Sequence, residues 1–277
     1  MRNLTEHNLT DAVLARLEAC QDPRLKEVMS SVIRHLHAMV REVEPTPQEW
    51  FSAIQFLTQT GHMCDDVRQE YILLSDTLGV SMLMDAINNR KPAGATESSV
   101  LGPFYVEGAP EKHTGADLAP GQGPGVVVSG CVRSTDGQPL ASATLDVWQT
   151  APNGLYHVQD SQAEKYHLCG KVSVAGDGSY RFRTLKPVCY GIPTDGPVGK
   201  LLDKLGRHPY RPAHIHFIVV APGFKPVVTQ LFTEGDPYLE SDAVFGVKNS
   251  LVIDYEKAGD EWKVSYDFVL EPEARGE

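Results

Sequence analysis

The chain has 277 residues, 42% of them apolar and 22% charged, a balance that excludes a disordered or fibrous protein. A formal net charge of −11 argues against nucleic acid and anionic membrane surfaces as main partners. No run approaches the ~18 apolar residues of a membrane span, and "MRNLTEHNLTDAV" lacks the basic-then-apolar pattern of a secretion signal. Cys20, Cys64, Cys131, Cys169 and Cys189 are odd in number and scattered, with no CxxC pair. They fit a reducing cytoplasm and give no disulfide framework or zinc knuckle.

Up to about residue 90 the period is helical. Val13, Leu17, Ile33, Leu36, Val40, Ile54, Leu57 and Leu73 belong to apolar sets spaced by three and four residues. Asp22-Pro23 offers an N-cap with proline in the first helical position, and Thr46 to Glu49 ("TPQE") reads as a capping box. The stretch "YILLSDTLGVSMLMDAINN" predicts one longer helix ending at Asn88-Asn89, before Pro92. A helical unit of this kind is expected to serve packing or dimerisation rather than catalysis. Next, "LGPFYVEGAPEKHTGADLAPGQGPG" is rich in Gly and Pro and predicts a long surface connection.

From about residue 125 the period becomes two. "VVVSGCVRS", "ATLDVWQT", "SYRFRTL", "AHIHFIVVA", "PVVTQLF", "NSLVIDY" and "WKVSYDFVL" are short β runs parted by turn signals such as "TDGQPL", "APNG" and "AGDG". The expected fold class is mainly β: a sandwich of mixed and antiparallel strands behind an α-helical N-terminal domain. The charged run "DYEKAGDEWK" reads as a solvated hairpin.

Within "RPAHIHF", His214 and His216 share one face of a strand while Ile215 takes the other. Their Cα atoms would stand ~6.7 Å apart, close enough for both rings to reach one ion. Taken alone, the pair reads equally well as two hydrogen-bonded histidines in a half-polar sheet. No Glu or Asp lies near in sequence to supply the usual third ligand. Two tyrosines stand out instead: Tyr156 just past a turn in "APNGLYHVQD", and Tyr190 in "KPVCYGIPTDGP", which reads as an irregular segment. Two phenols with two imidazoles suit a hard trivalent cation that can ionise the phenols, and Fe(III) is the natural candidate.

"GLYHVQD", "PVCYGIPTDGP", "LGRHPYRPAHIHF" and "VVTQLF" together resemble the motif set of the intradiol ring-cleaving dioxygenases. "SVLGPFYVEGAP" and the helical N-terminal region resemble the catechol and hydroxyquinol branch of that family. The resemblance implies a helical linker and dimerisation domain over 1–95 and a catalytic β-sandwich over 96–277. It implies a homodimer formed through the N-terminal helices, with room for a phospholipid between them. It also implies one Fe(III) per subunit, with Tyr190 and His216 axial and Tyr156, His214 and a hydroxide or water in the plane. Tyr190 would double as a base, Arg211 would lie against the activated ring, and Gln230 would stand near the substrate.

The substrate wall implied by the resemblance comprises Leu73, Asp76, Val100, Leu101, Gly102, Pro103, Phe104, Ile192, Pro193 and Val244. "VLGPF" stands where catechol enzymes more typically carry Ile-Glu-Gly-Pro-Leu, and "YGIPTDGP" resembles the hydroxyquinol branch. The expected reaction is therefore cleavage of hydroxyquinol (benzene-1,2,4-triol) by O2 to maleylacetate. The alternatives are a catechol or chlorocatechol dioxygenase giving cis,cis-muconates, or a non-catalytic, transthyretin-like binding module.

Overall fold

A computed structural model describes residues 2–273, which divide into two compact units on either side of the Gln59–Thr60 bond. The first unit holds α1 (Leu9–Leu14), a 3₁₀ turn (Ala15–Ala19), α2 (Pro23–Val43) and most of α3 (Pro47–His62). Both predicted caps form. The Asp22 carboxylate accepts from the backbone N–H groups of Arg24 and Leu25 at 2.9 and 3.0 Å. Thr46 N–H donates to Glu49 Oε2 at 2.8 Å while Glu49 N–H donates to Thr46 Oγ1 at 3.3 Å, the reciprocal pair of a capping box. On α2, Leu25, Val28, Val32, Leu36, Met39 and Val43 recur at three- and four-residue steps, and all are exposed.

The second unit opens with two helices where the sequence predicts one. The segment splits into α4 (Glu70–Thr77) and α5 (Val80–Asn88) because Gly79 turns left-handed at φ 74°. The N–H of Leu78 donates to Leu74 O and that of Gly79 to Asp76 O, closing α4 before the chain restarts. Apolar residues run on in sequence through both pieces, from Tyr71 to Ile87, which hides the break from a sequence reading.

The strands follow as β1 (Glu111–His113), β2 (Ala116–Asp117), β3 (Gly125–Ser134), β4 (Thr144–Trp148), β5 (Cys169–Ser173), β6 (Ser179–Leu185) and β7 (Tyr190–Gly191). After α6 (Pro197–Lys204) come β8 (Tyr210–Arg211), β9 (His214–Val220), β10 (Val227–Thr233), β11 (Val252–Ile253), β12 (Glu256–Ala258), β13 (Glu261–Ser265) and β14 (Phe268–Leu270). One sheet has the order β1-β5-β4-β9-β10-β11 and the other β12-β13-β3-β6-β2, with β14 also on β3. Parallel and antiparallel pairs mix in both. A single core interleaves Val126, Val128, Phe182 and Phe268 of one sheet with Leu145, Ile215, Phe217 and Val219 of the other. That is a sandwich.

Three expectations need correction. The Gly/Pro-rich connection is not irregular throughout, since it lends β1 to one sheet and β2 to the other. "WKVSYDFVL" is two strands: the ladder with β3 is interrupted at Tyr266-Asp267 and resumes from Phe268 further along β3. "NSLVIDY" is a 3₁₀ turn leading into the short β11. The charged run does fold as the β12–β13 hairpin.

Helix α6, which carries little sequence signal, is held from a distance. Glu70 is fully buried; its Oε1 accepts from the Val198 N–H at 3.1 Å, and its Oε2 pairs with Arg68 at 2.9 Å. Arg68 reaches on to Asp195 at 2.9 Å. A carboxylate at the start of a helix complements its unpaired N–H groups. Gly196 leaves the space, because a Cβ there would overlap Glu70 Oε1. This lock fixes the segment that carries Ile192 and Pro193.

Candidate metal centre

The strand register sets the first half of the site. Across β4, β9 and β10, Trp148 stands opposite His216, and His216 opposite Gln230. Ile215, Phe217 and Val219 fill the core, so the alternate positions His214 and His216 face away from it. The β7–β8 ribbon pairs Tyr190 with Arg211, placing the phenol and the guanidinium side by side. Tyr190 therefore lies on a short strand, not in the irregular segment predicted. Tyr156 comes from the long β4–β5 loop, where Gly154 at φ 79° makes the turn that "APNG" predicts. The Tyr156 carbonyl accepts from the N–H groups of Gln159 and Asp160, which pins the loop.

These elements bring four donor atoms together. Tyr156 Oη lies 2.8 Å from His216 Nε2 and 3.0 Å from Tyr190 Oη, and the two imidazole Nε2 atoms are 3.1 Å apart. The four side chains are 1 to 7% exposed. Donors bound ~2.0–2.1 Å from one transition-metal ion sit at about this mutual spacing. Among the described residues no three His, Cys, Asp or Glu side chains cluster as a metal site, so an ion held here would draw on the two phenols as well as the two imidazoles.

Protonation bears on whether an ion fits. His214 Nδ1 donates to the Pro212 carbonyl at 2.6 Å, which leaves its Nε2 lone pair pointing into the site. Burial, then the Arg211 charge, pushes the His214 imidazole down to about 3, and burial with His214 beside it holds His216 well below the usual histidine range. Both rings are neutral, as ligands must be. Burial pushes both phenols up. Tyr190 is pulled back by the Arg211 charge and by hydrogen bonds from Tyr156 and Arg211, so it is the easier of the two to ionise. Among the described residues His216 Nδ1 has no hydrogen-bond partner, and Trp148 stacks on the ring, centroids 4.6 Å apart at 12°. The two imidazole Nε2 atoms and the two buried phenol oxygens are a donor set that could hold a high-charge cation.

Arg211 forms the wall next to the donors. Its Nη1 faces His214 Nε2 at 3.2 Å, and its Nη2 donates to Gln230 Oε1 at 2.7 Å. Gln230 Nε2 in turn donates to the Val100 carbonyl, tying β10 to the Val100–Phe104 loop. Within that loop Phe104 stacks on Tyr156 at 4.8 Å. Gly102, at φ 75°, passes so close to His216 that a Cβ would lie 3.5 Å from the ring.

The structure distributes the remaining wall residues unevenly. Asp76, Val100, Leu101 and Gly102 line one cavity of about 400 Å³ with Ile72, Ser81 and Ser99. Leu73 and Ile192 instead share a small buried cluster with Val198, Leu202 and Ala243. Val244 is buried and Pro193 half-buried; neither they nor Pro103 and Phe104 border that cavity. Burial pushes the Asp76 carboxyl up, a hydrogen bond from Ser81 and the Arg211 charge only partly opposing it. Two contributors went unforeseen. Asp242, buried against Arg211, lies far along the chain from the HxH strand, and Trp148 is an ordinary strand-end aromatic until register stacks it on His216.

Known proteins share this architecture. The chain matches the family model of the dioxygenases over residues 100–272 and that of the catechol dioxygenase N terminus over residues 22–96. It is 50% identical over 280 residues to the hydroxyquinol 1,2-dioxygenase of Rhizobium sp. (strain MTP-10005), covering 96% of this chain and 95% of that protein. It is 35% identical over 279 residues to the catechol 1,2-dioxygenase of Candida albicans, covering 96% and 92%. Hydroxyquinol 1,2-dioxygenase from Pseudomonas putida DLL-E4 superposes with a TM-score of 0.91 at 48% identity, covering 97% of this chain and 99% of its own. A non-catalytic binding module is thereby set aside. The chain belongs to the intradiol ring-cleaving dioxygenases and is an enzyme of that family.

Proposed function

We propose that this enzyme cleaves hydroxyquinol with O2 between its adjacent hydroxylated carbons, giving maleylacetate, at one Fe(III) held by Tyr156, Tyr190, His214 and His216. The convergence of two buried phenols and two neutral imidazoles carries the reading. When bound, ferric iron supplies a Lewis acid and an electron acceptor for a chelating diol. The Tyr190 oxygen is the base that takes a proton from the incoming diol, and its place beside Arg211 suits it to carry negative charge. The Arg211 guanidinium stabilises negative charge developing on the ring in a site closed to water. Gln230 keeps that guanidinium and the Val100 loop in register. The visible spectrum tests the metal site: a broad tyrosinate-to-iron band should appear and should shift when hydroxyquinol is added without oxygen. A protein that stays colourless after ferric reconstitution sinks the proposal.

The choice of triol over catechol rests on Asp76 and on identity. The enzyme is 50% identical to a hydroxyquinol dioxygenase against 35% for a catechol dioxygenase. Asp76 is 3% exposed beside the Val100–Gly102 segment and can accept from a third ring hydroxyl. A buried polar group left unpaired costs ~1–3 kcal/mol, so Asp76→Ala should narrow the preference for hydroxyquinol over catechol by ~10-fold. Competition kinetics with the two diols check this, and an unchanged ratio removes the role. Catechol and chlorocatechols are the competing substrates.

Assembly and location belong to the same reading. The exposed stripe of α2 is suited to pair with a second copy, making a homodimer through the 1–95 domain, and its apolar side chains could shelter a phospholipid. No helix among the described residues is long and apolar enough to cross a membrane, and five free cysteines suit the cytoplasm.

A further inference from the structure

Arg211 is 3% exposed, and its charge is matched by a group outside the donor set. Asp242, 5% exposed, takes it in a two-point grip: Nε to Oδ1 at 3.0 Å and Nη2 to Oδ2 at 3.1 Å. Gln230 holds the same Nη2 at 2.7 Å. Two of the guanidinium nitrogens are therefore committed on the side away from the donors, and Nη1 is left toward His214 and the site. A fork gripped at two points cannot rotate about its long axis as a singly held one can.

Asp242 also builds its own surroundings. Its Oδ1 accepts from the Val244 N–H at 3.3 Å and its Oδ2 from the Gly246 N–H at 2.9 Å, which shapes the turn that carries the wall residue Val244. The Ser99 hydroxyl donates to the Gly246 carbonyl at 2.7 Å. At Gly246 a Cβ would stand 2.9 Å from Arg211 Nη2, 3.0 Å from Ser99 Oγ and 3.2 Å from Asp242 Oδ2. The seat is shaped to one position of the guanidinium, with no slack on the Gly246 side.

We propose that Asp242 is the positioning residue of Arg211: it fixes the plane and direction of the guanidinium and joins it to the Val244 turn, so that the charge and the pocket wall move as one. The proposal rests on reading Arg211 as the group that faces the reacting ring. It goes beyond that reading by assigning the orientation of Arg211 to a carboxylate that touches neither the donor atoms nor the substrate.

The test is a double-mutant cycle on the iron-loaded enzyme with hydroxyquinol, using Asp242→Asn, Arg211→Gln and the pair. Asp242→Asn should keep the visible band while kcat falls ~10–100-fold, the range for removing a group that orients a site residue, with KM changed less than ~3-fold. In the Arg211→Gln background the same change should cost less than ~3-fold more, because nothing is left to orient. A kcat for Asp242→Asn within ~3-fold of wild type overturns the proposal, as does an equal loss in both backgrounds. An Arg211→Gln enzyme with wild-type kcat overturns the reading of Arg211 itself, and the proposal with it; that single variant tells the two failures apart. Gly246→Ala provides a second route should Asp242→Asn fold poorly, since it keeps both charges and crowds the seat. It should lower kcat with little change in KM, and wild-type kcat there counts against the proposal.

Discussion

Replacing His216 by alanine should leave a folded protein that no longer holds iron firmly and has lost ring-cleaving activity by at least ~10²-fold, since even orienting partners of a metal ligand are worth 10–100-fold. The side chain faces away from the sandwich core, so that core stays packed without it, while the stack on Trp148 and the contact with Tyr156 are lost. Its loss removes one of two inward nitrogens and the 2.8 Å neighbour of Tyr156 Oη, leaving that phenol buried with Tyr190 as its remaining polar contact. Iron content by elemental analysis, the visible band and the thermal midpoint separate the two effects. Loss of colour with a single cooperative transition at a modestly lowered midpoint is the expected pattern. A variant that keeps its full iron complement and its rate would remove His216 from the ligand set.

One residue further on, Phe217→Ala should do the reverse. Phe217 is fully buried and sits between the sheets, its ring centroid 4.9 Å from that of Phe268 and 6.2 Å from that of Phe182. Truncating a buried phenylalanine costs ~3–5 kcal/mol through lost transfer energy and the cavity left behind. For a unit of this size that lowers Tm by roughly 10 °C. The fraction that remains folded should bind iron, because the donor atoms lie on the opposite face of the strand. A Phe217→Ala protein of wild-type Tm would mean that the sandwich core is not where the strand alternation places it. The pair of variants tests the claim that one strand does two jobs on two faces.

Much of this was legible because the signals were local. A period of two with turn dipeptides marked β3, β6, β9 and β10, and the alternation about Ile215 showed which face His214 and His216 share. Residue chemistry marked the tyrosines as candidate donors and the family resemblance strengthened that reading, but nothing near Tyr156 or Tyr190 in the chain says that the two will meet. What stayed hidden depends on tertiary contacts. Helix α6 is capped by Glu70, over a hundred residues away in sequence. The ribbon that pairs Tyr190 with Arg211 is only two residues deep on each side, too short for any pattern. Asp242 pairs with Arg211 across 31 positions and no periodicity connects them. The break at Gly79 was written in the sequence, yet a single glycine inside a continuous apolar stripe gives a weaker signal than the stripe itself.

The order of the two sheets bears on how the enzyme behaves when crowded. A bare sheet edge is a template onto which another chain can add a strand. Among the described residues the strands that end the two sheets are stubs: β1 and β12 have three residues each, as does β14 beside β3, and β2 and β11 only two. The long strands β3, β6, β9 and β10 all lie inside. The connection before the sandwich supplies two of these stubs, one to each sheet, and thereby covers β5 and β6. The part of this connection that carries β1 and β2 thus guards against self-association, and deleting those two stubs would bare β5 and β6 to other chains.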